Sequence, residues 1–343
     1  MASLRVGIVG AGWVATNRHI PAFRQDARAR IVAIADHSSG RAEDIAGKFR
    51  IPHHTTDPED LFRRVEVVSI CTPPWTHAEL SIGALRHGCH VLVEKPMATE
   101  RSQALAMIDA AAANQRMLCV AHNLLFSRSG GRALRSIAQC AIGDPHTLYA
   151  YQLSSWQRRL PRWHTRLPGG LFFDEAPHML YLIRAILGEL TVVDARTRHG
   201  GDGTSSGIQV LLEADRGEAR LEMISGAPIS EWTLVILGMK GILAVDLFRD
   251  IVISLGTDHR HAPWDVLKTS LSTVTQHMFG VLTSGLLLVG RRLNFGHTAL
   301  VKRFIDAVLG VAPSPVTAQD GLAIVDALER IVALGQLRDR VVI

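Results

Sequence analysis

The sequence predicts two units: an N-terminal α/β domain with a doubly wound parallel sheet, then an α+β domain with a largely antiparallel open sheet. Three observations predict it. Up to His122, short apolar runs alternate with helical stretches, the pattern of a parallel sheet covered by helices on both faces. The first apolar run enters a glycine-rich turn, Gly10-Ala-Gly12-Trp-Val-Ala15. Beyond a helix ending at Leu187, extended runs follow one another with no helix between them, as in an antiparallel sheet. At 343 residues the chain exceeds what one core usually holds. The division falls where the alternation stops, giving residues 1–123 and 124–343.

Composition narrows the function. The formal charge is +5, Lys and Arg are scattered, and 6% of residues are aromatic, so no nucleic-acid surface is expected. Cys71, Cys89, Cys119 and Cys140 stand apart, mostly in apolar runs. Reduced thiols in a cytoplasmic protein are expected, not disulfides or a zinc site. No Cys/His cluster has ligand spacing, His259-Arg-His261 reads as an exposed loop, and no metal is expected. The N-terminus runs straight into a strand without a charged-then-apolar leader. No apolar run reaches the roughly 18 residues of a membrane span, and membrane contact is not expected.

Taken in order, Leu4 to Val9 is a strand and Gly10 opens the tight turn after it. Gly12 lets the backbone approach a pyrophosphate, Ala15 lets helix and strand pack closely, and the helix beginning near Trp13 and Val14 turns its N-terminus to the phosphates. Asp36 closes the strand Ile31 to Ala35 at the position of a ribose-binding acid. A carboxylate there accepts from a ribose hydroxyl and repels a 2′-phosphate, which favours NAD, whereas His37 and Arg41 could tolerate NADP. The plainer role for Asp36 is capping its own turn.

Helices follow over Arg41–Phe49 and Asp57–Arg63, then the buried strand Val65–Cys71. Thr72-Pro73-Pro74-Trp75-Thr76-His77 is a rigid loop suited to cover a dinucleotide, with His77 either capping and packing the next helix or touching the site. After helix Ala78–His87, Val91 to Val93 is a strand ending in Glu94, Lys95 and Pro96. Ligands gather at that edge of a parallel sheet, and Pro96 restricts the backbone of Lys95. Lys95 reads either as a strand-ending surface lysine or as a donor to a substrate oxygen. Helix Ser102–Gln115 and strand Arg116–His122 complete the domain.

The glycine turn, Asp36, TPPWTH and the ALRHGCHVLVEKP run resemble the glucose–fructose oxidoreductase / inositol dehydrogenase (Gfo/Idh/MocA) family, in the family's order over most of the chain. The resemblance implies a Rossmann domain, an NAD(P)-dependent oxidoreductase, and an active-site role for Lys95. Asn123-Leu-Leu-Phe126 resembles the family's crossover, with leucine where arginine is usual.

In the second domain, strand Thr147–Leu153 leads to Trp156, Arg158, Arg159, Trp163, His164 and Arg166, which read equally as pocket lining or as an exposed loop. Asp174 and His178 are four residues apart and share one helical face. The carboxylate can orient an imidazole that exchanges a proton near neutral pH, although such pairs also occur as solvated helix pairs. Pro177 fits best in the first turn. By resemblance to the family's D-x-G-x-H motif, with Ala176 in place of glycine, Asp174 and His178 join Lys95 as the catalytic set. Glu94, Lys95, Thr72, Pro73 and His77 are added to the cofactor contacts, with His37 and Arg41 beside Asp36.

Strands are expected at Thr191–Arg198, Gly207–Ala214, Ala219–Ser225, Trp232–Gly238, Ile242–Leu247 and Asp250–Leu255, with Gly238 to Gly241 as a hairpin resembling the family's. A homodimer or homotetramer through this sheet is expected. Asp265 to Gly290 carries apolar residues at three- and four-residue spacing. It reads as a packing or subunit-contact helix, or as a lipid-surface helix helped by Arg291 and Arg292. Helices Thr298–Leu309 and Thr317–Leu334 end the chain. The expected activity is hydride transfer between a nicotinamide cofactor and a secondary alcohol or ketone of a cyclic polyol, sugar or sugar derivative. The alternatives are reduction of a nucleotide-linked ketosugar, whose phosphates Arg158, Arg159 and Arg166 would meet, and a dinucleotide sensor without chemistry.

Overall fold

The computed structural model describes residues 3–158, 160, 162–199, 205–257, 260, 262–290 and 295–339. Arg159, His259, His261, Arg291 and Arg292 lie outside them. The chain divides into two compact units, Met1–Asn123 with Gly296–Asp326, and Leu124–Phe295 with Ala327–Ile343.

In the first unit, strands β1 (Leu4–Val9), β2 (Ala29–Ala35), β3 (His53–Thr55), β4 (Val67–Ile70), β5 (His90–Val93) and β6 (Leu118–Val120) form one parallel sheet in the order β3-β2-β1-β4-β5-β6. This is the doubly wound order of a Rossmann sheet, with its switch point between β1 and β4. Val67, Val68 and Ile70 of β4 and Val91, Leu92 and Val93 of β5 are all buried. Strands covered on both faces need such continuous apolar runs. Helices α1 (Ile20–Phe23), α2 (Ser39–Phe49), α3 (Pro58–Phe62), α4 (His77–Arg86) and α5 (Arg101–Ala113) alternate with the strands, and a π-helical turn, Ala15–His19, leads into α1. β3 has no sequence expectation behind it, because its three residues, His53-His54-Thr55, carry no apolar pattern.

The second unit opens with α6 (Arg128–Ala138). Its sheet comprises β7 (Pro145–Ser155), β8 (Leu190–His199), β9 (Ser205–Ala214), β10 (Gly217–Ala227), β11 (Glu231–Gly238), β12 (Gly241–Asp246) and β13 (Ile251–Gly256), ordered β13-β12-β11-β7-β10-β9-β8. All neighbours are antiparallel except β7 and β10. Alternate residues such as Leu148, Ala150, Leu221, Leu234 and Val245 face inward and are buried, and α7 (Leu171–Leu187) packs on β7, β9 and β10. α7 starts early enough that Pro177 falls in its second turn. The carbonyl one turn before it therefore lacks its helical donor, a correction to the first-turn placement. α8 (Pro263–Val289) lies against the edge strand β13. Among the described residues no helix is long and apolar enough to cross a membrane.

The sequence boundary at residue 123 assigns everything after it to one unit, and the structure corrects this. α9 (His297–Val308) returns to pack on α1, and Arg28 Nη1 donates to Asp306 Oδ1 at 2.6 Å. Early α10 (Ala318–Asp339) packs so tightly that a Cβ on Gly321 would stand 2.6 Å from Val120 Cγ2. Long-range closure of this kind leaves no local mark in the chain.

Candidate active site

Three candidate segments leave the carboxyl ends of adjacent strands: the glycine turn after β1, the Thr72 loop after β4, and Glu94–Lys95 after β5. Gly10 has φ +93°, and a Cβ there would meet Cys71 O at 2.8 Å, so glycine is needed both for the turn and for the approach of β4. Over Gly12 nothing lies within 4 Å of the Cβ position, which leaves the open surface a pyrophosphate requires. Ala15 is fully buried, Val14 is half-buried, and Trp13 is exposed under the Arg18 guanidinium, 5.1 Å from its ring centre.

Asp36 is buried and works first for the chain itself. Its Oδ2 accepts from Ala11 N at 2.8 Å and its Oδ1 from Ser38 N at 2.9 Å, so it caps its own turn and ties down the glycine loop. Exposed His37 and Arg41 stand 3.3 and 3.5 Å from Oδ1. Each carboxylate oxygen retains a second acceptor site for a ribose hydroxyl.

Beneath Lys95 lies a cluster that sequence spacing could not show. His19 is fully buried, with Nδ1 2.8 Å from Ser69 Oγ and Nε2 2.7 Å from Glu94 Oε1. Glu94 Oε2 accepts from Lys95 N at 3.1 Å, and His297 Nε2 stands 3.9 Å from Oε1. Burial opposes the charge on His19, but the adjacent Cys71 sulfur and Glu94 carboxylate outweigh it and raise the pKa to about 10. Burial likewise opposes the Glu94 charge, yet His19, with His297 and Lys95, holds it down at about 2. The two groups form a buried ion pair. The ligand atoms of His19, Glu94 and His297 all lie within 4.8 Å of one another, so they could gather round a metal ion. The 2.7 Å His19–Glu94 contact is a hydrogen bond, shorter than the roughly 3.3 Å that separates two ligands on one tetrahedral zinc.

His77 is fully buried, with Nδ1 2.8 Å from Pro96 O and Nε2 2.8 Å from Thr72 O. Burial lowers its pKa, more strongly than the two carbonyls raise it. It clasps the two loops together. Thr76 Oγ1 donates to Thr72 Oγ1 at 2.7 Å and stiffens the same loop, where Thr72 and Pro73 stay partly exposed.

In the second unit, Asp174 and His178 lie one turn apart on α7, both half-buried. Tyr181, a further turn on, places its hydroxyl 2.9 Å from His178 Nδ1 and accepts from Leu124 N at 3.0 Å. A phenol so held can donate to Nδ1 or accept from it, and so supports either imidazole tautomer. The Trp232 ring lies 5.2 Å from that of His178. Sequence reasoning missed Tyr181, although its three-residue spacing from His178 was a usable signal. Arg158, a phosphate-contact candidate, is instead paired with Glu175, a buried carboxylate that also accepts from Ser154 Oγ at 2.8 Å. Trp156 and Arg166 are exposed, and Trp163 and His164 are half-buried.

Comparison with known proteins fits this geometry. The oxidoreductase family with an NAD-binding Rossmann fold (GFO/IDH/MocA) matches residues 4–122, and the family's C-terminal domain matches residues 132–244. The chain is 32% identical over 253 residues, 71% of its own length and 73% of the relative's, to dTDP-3,4-didehydro-2,6-dideoxy-alpha-D-glucose 3-reductase of Streptomyces violaceoruber. It is 26% identical over 266 residues to inositol 2-dehydrogenase of Rhizobium meliloti, covering 74% of this chain and 79% of that one. Other relatives match over little more than half their length, as does a Thermotoga maritima myo-inositol 2-dehydrogenase at 55%. The fold is shared with GenD2 from gentamicin A biosynthesis, solved in complex with NAD, at TM-score 0.78 and 22% identity over 97% of this chain and 95% of that one. The chain therefore belongs to the Gfo/Idh/MocA oxidoreductases, with an NAD-binding Rossmann domain followed by the family's C-terminal domain.

Proposed function

We propose that this dehydrogenase/reductase transfers a hydride between NAD and a secondary alcohol or ketone of a cyclic polyol, sugar or sugar derivative, using Lys95, Asp174 and His178. The observation that carries this reading is Lys95 at the carboxyl end of β5, beside the switch point of an NAD-binding sheet. Relatives named as inositol 2-dehydrogenase and D-glucoside 3-dehydrogenase support the substrate class. NAD, when bound, supplies the hydride acceptor or donor. Gly10, Gly12, Trp13, Val14 and Ala15 would hold its pyrophosphate and Asp36 its ribose, with Thr72 and Pro73 as further contacts. Glu94 and His77 keep the surrounding loops in place.

His178 takes the hydroxyl proton in oxidation and returns it in reduction. Because Tyr181 holds Nδ1, the exchange falls to Nε2. Asp174 supports the imidazolium that forms, and the Lys95 ammonium stabilises the developing alkoxide or shares the proton relay.

The cofactor preference is tested by titrating the protein with NADH and NADPH, following fluorescence. We expect tighter NADH binding, levelled in Asp36→Ala by loss of the carboxylate that repels a 2′-phosphate. Tighter NADPH binding by the unaltered chain would give His37 and Arg41 control and favour a reductive role. Reduction of a nucleotide-linked ketosugar is the second reading, favoured by the Streptomyces relative. Arg158, one of its three phosphate-contact candidates, is engaged with Glu175, and this reading stands second.

A further inference from the structure

α8 is amphipathic with its faces exchanged. From Thr269 to Gly290 the sequence contains no Asp, Glu, Lys or Arg. A helix packed on a sheet normally turns its apolar stripe inward. Here the inward stripe is Thr269, Thr273, Gln276, Gly280 and Ser284. Its polar atoms are consumed locally. Thr269 Oγ1 donates to Asp265 O at 2.9 Å and Thr273 Oγ1 to Thr269 O at 2.8 Å. Gln276 Oε1 accepts from Ser254 N and its Nε2 donates to Ser254 O, both at 2.9 Å, while Ser284 Oγ donates to Asp250 O at 3.0 Å. Gln276 thus satisfies the outward N–H and C=O of Ser254 on edge strand β13, groups that an uncovered edge would offer to another chain. A Cβ on Gly280 would lie 2.8 Å from Ile251 Cγ2, so this contact is close.

The apolar stripe faces outward. Leu271, Met278 and Leu288 are 57%, 58% and 60% exposed, and Leu267, Val274 and Val281 are exposed with them. Their spacing alternates four and three residues, with Gly285 continuing it, which is the period of a helix–helix seam. A lipid surface imposes no such period, and helices that lie on lipid carry Lys and Arg on their polar face. The polar face of α8 carries Ser, Thr and Gln and is turned onto the sheet. At 1.5 Å per residue the helix is about 40 Å long, and a strip one helix wide along it is on the order of 400 Å² in projection. Left in water, it would rank with the largest apolar patches of monomeric proteins. Covered on both copies, it supplies a large part of the roughly 800 Å² per partner of a stable interface. The complement it requires is an uncharged apolar helix with the same period, and the chain itself provides one.

We propose that α8 is a self-association helix, its Leu267–Leu288 seam packing against α8 of a second copy about a two-fold axis. The contact is isologous, so one patch serves both chains. The test is light-scattering mass and sedimentation velocity of the full chain at micromolar concentration. It compares the unaltered protein, Leu271→Glu/Met278→Glu, and Met239→Glu as an exposed apolar control on the β11–β12 turn. The expected result is a two-fold fall in mass for the double variant alone, with far-ultraviolet circular dichroism unchanged. If the double variant loses its fold, Leu288→Lys near the end of α8 takes its place and is expected to halve the mass. A single-chain mass for the unaltered protein overturns the proposal, as does a mass that the seam substitutions leave unchanged. Sedimentation of the unaltered protein with phosphatidylcholine/phosphatidylserine vesicles, abolished by the seam substitutions, also overturns it by assigning the face to lipid.

Discussion

Lys95→Ala is expected to lower kcat by about 10²–10³ while leaving NADH affinity nearly unchanged, the loss seen when one preorganised donor to a developing oxyanion is removed. The side chain leaves β5 from a backbone fixed by the Lys95 N to Glu94 Oε2 bond, while the glycine turn and Asp36 are built independently after β1 and β2. Binding and chemistry should therefore separate. Lys95→Arg is expected to rescue little, because a planar guanidinium does not reproduce the compact ammonium. Steady-state kinetics beside an NADH titration check this; loss of binding together with turnover would move Lys95 from chemistry to cofactor contact.

Glu94→Ala is expected to cost about 3–5 kcal/mol of folding stability, because it strands the buried charge of His19. The same pair gives the unaltered protein a pH signature. Glu94 is held at about 2 against an ordinary 4.5, so its contribution is present above 4.5 and is lost as pH falls toward 2. His19 is raised to about 10 from 6.5, so its contribution is present below 6.5 and is lost as pH rises toward 10. The pair thus stabilises fully only between those ordinary values, 4.5 and 6.5. Urea unfolding across pH should show a plateau there that flattens out of the profile in Glu94→Ala; an unchanged profile would contradict the ion pair.

Much of the fold was legible because periodicity marks it. The predicted strands of the second sheet lie within two residues of those observed, for example Ala219–Ser225 within Gly217–Ala227 and Trp232–Gly238 within Glu231–Gly238. β3 was not legible, since a short polar strand carries no pattern. The return of Gly296–Asp326 to the first unit was invisible for another reason: it depends on contacts such as Arg28–Asp306 between residues far apart in the chain.

The candidate site divides in the same way. The glycine turn and Asp36 are visible in local spacing, whereas Lys95 and the Asp174–His178 pair stand out only through the family resemblance. His19, Ser69 and His297 meet Glu94 only through folding, and no local motif names them. His77 is a buried clasp between Thr72 and Pro96, in keeping with the packing role its place at a helix start suggests, and Arg158 is paired with Glu175, which its place in the chain does not show. For α8 the period was visible in sequence, but its direction was not, because an apolar stripe is expected inward until Gln276 and Ser284 are found on the sheet side.

The most direct test of hydride transfer is NADH formation by the purified protein across a panel of cyclic polyols, sugars and sugar derivatives, repeated with deuterium on the reacting carbinol carbon. The expected result is substrate-dependent NADH formation that slows on deuteration and falls by about 10²–10³ in Lys95→Ala. Tight NAD binding with no turnover on any member of the panel, in either direction, would contradict it and leave a dinucleotide sensor as the better description.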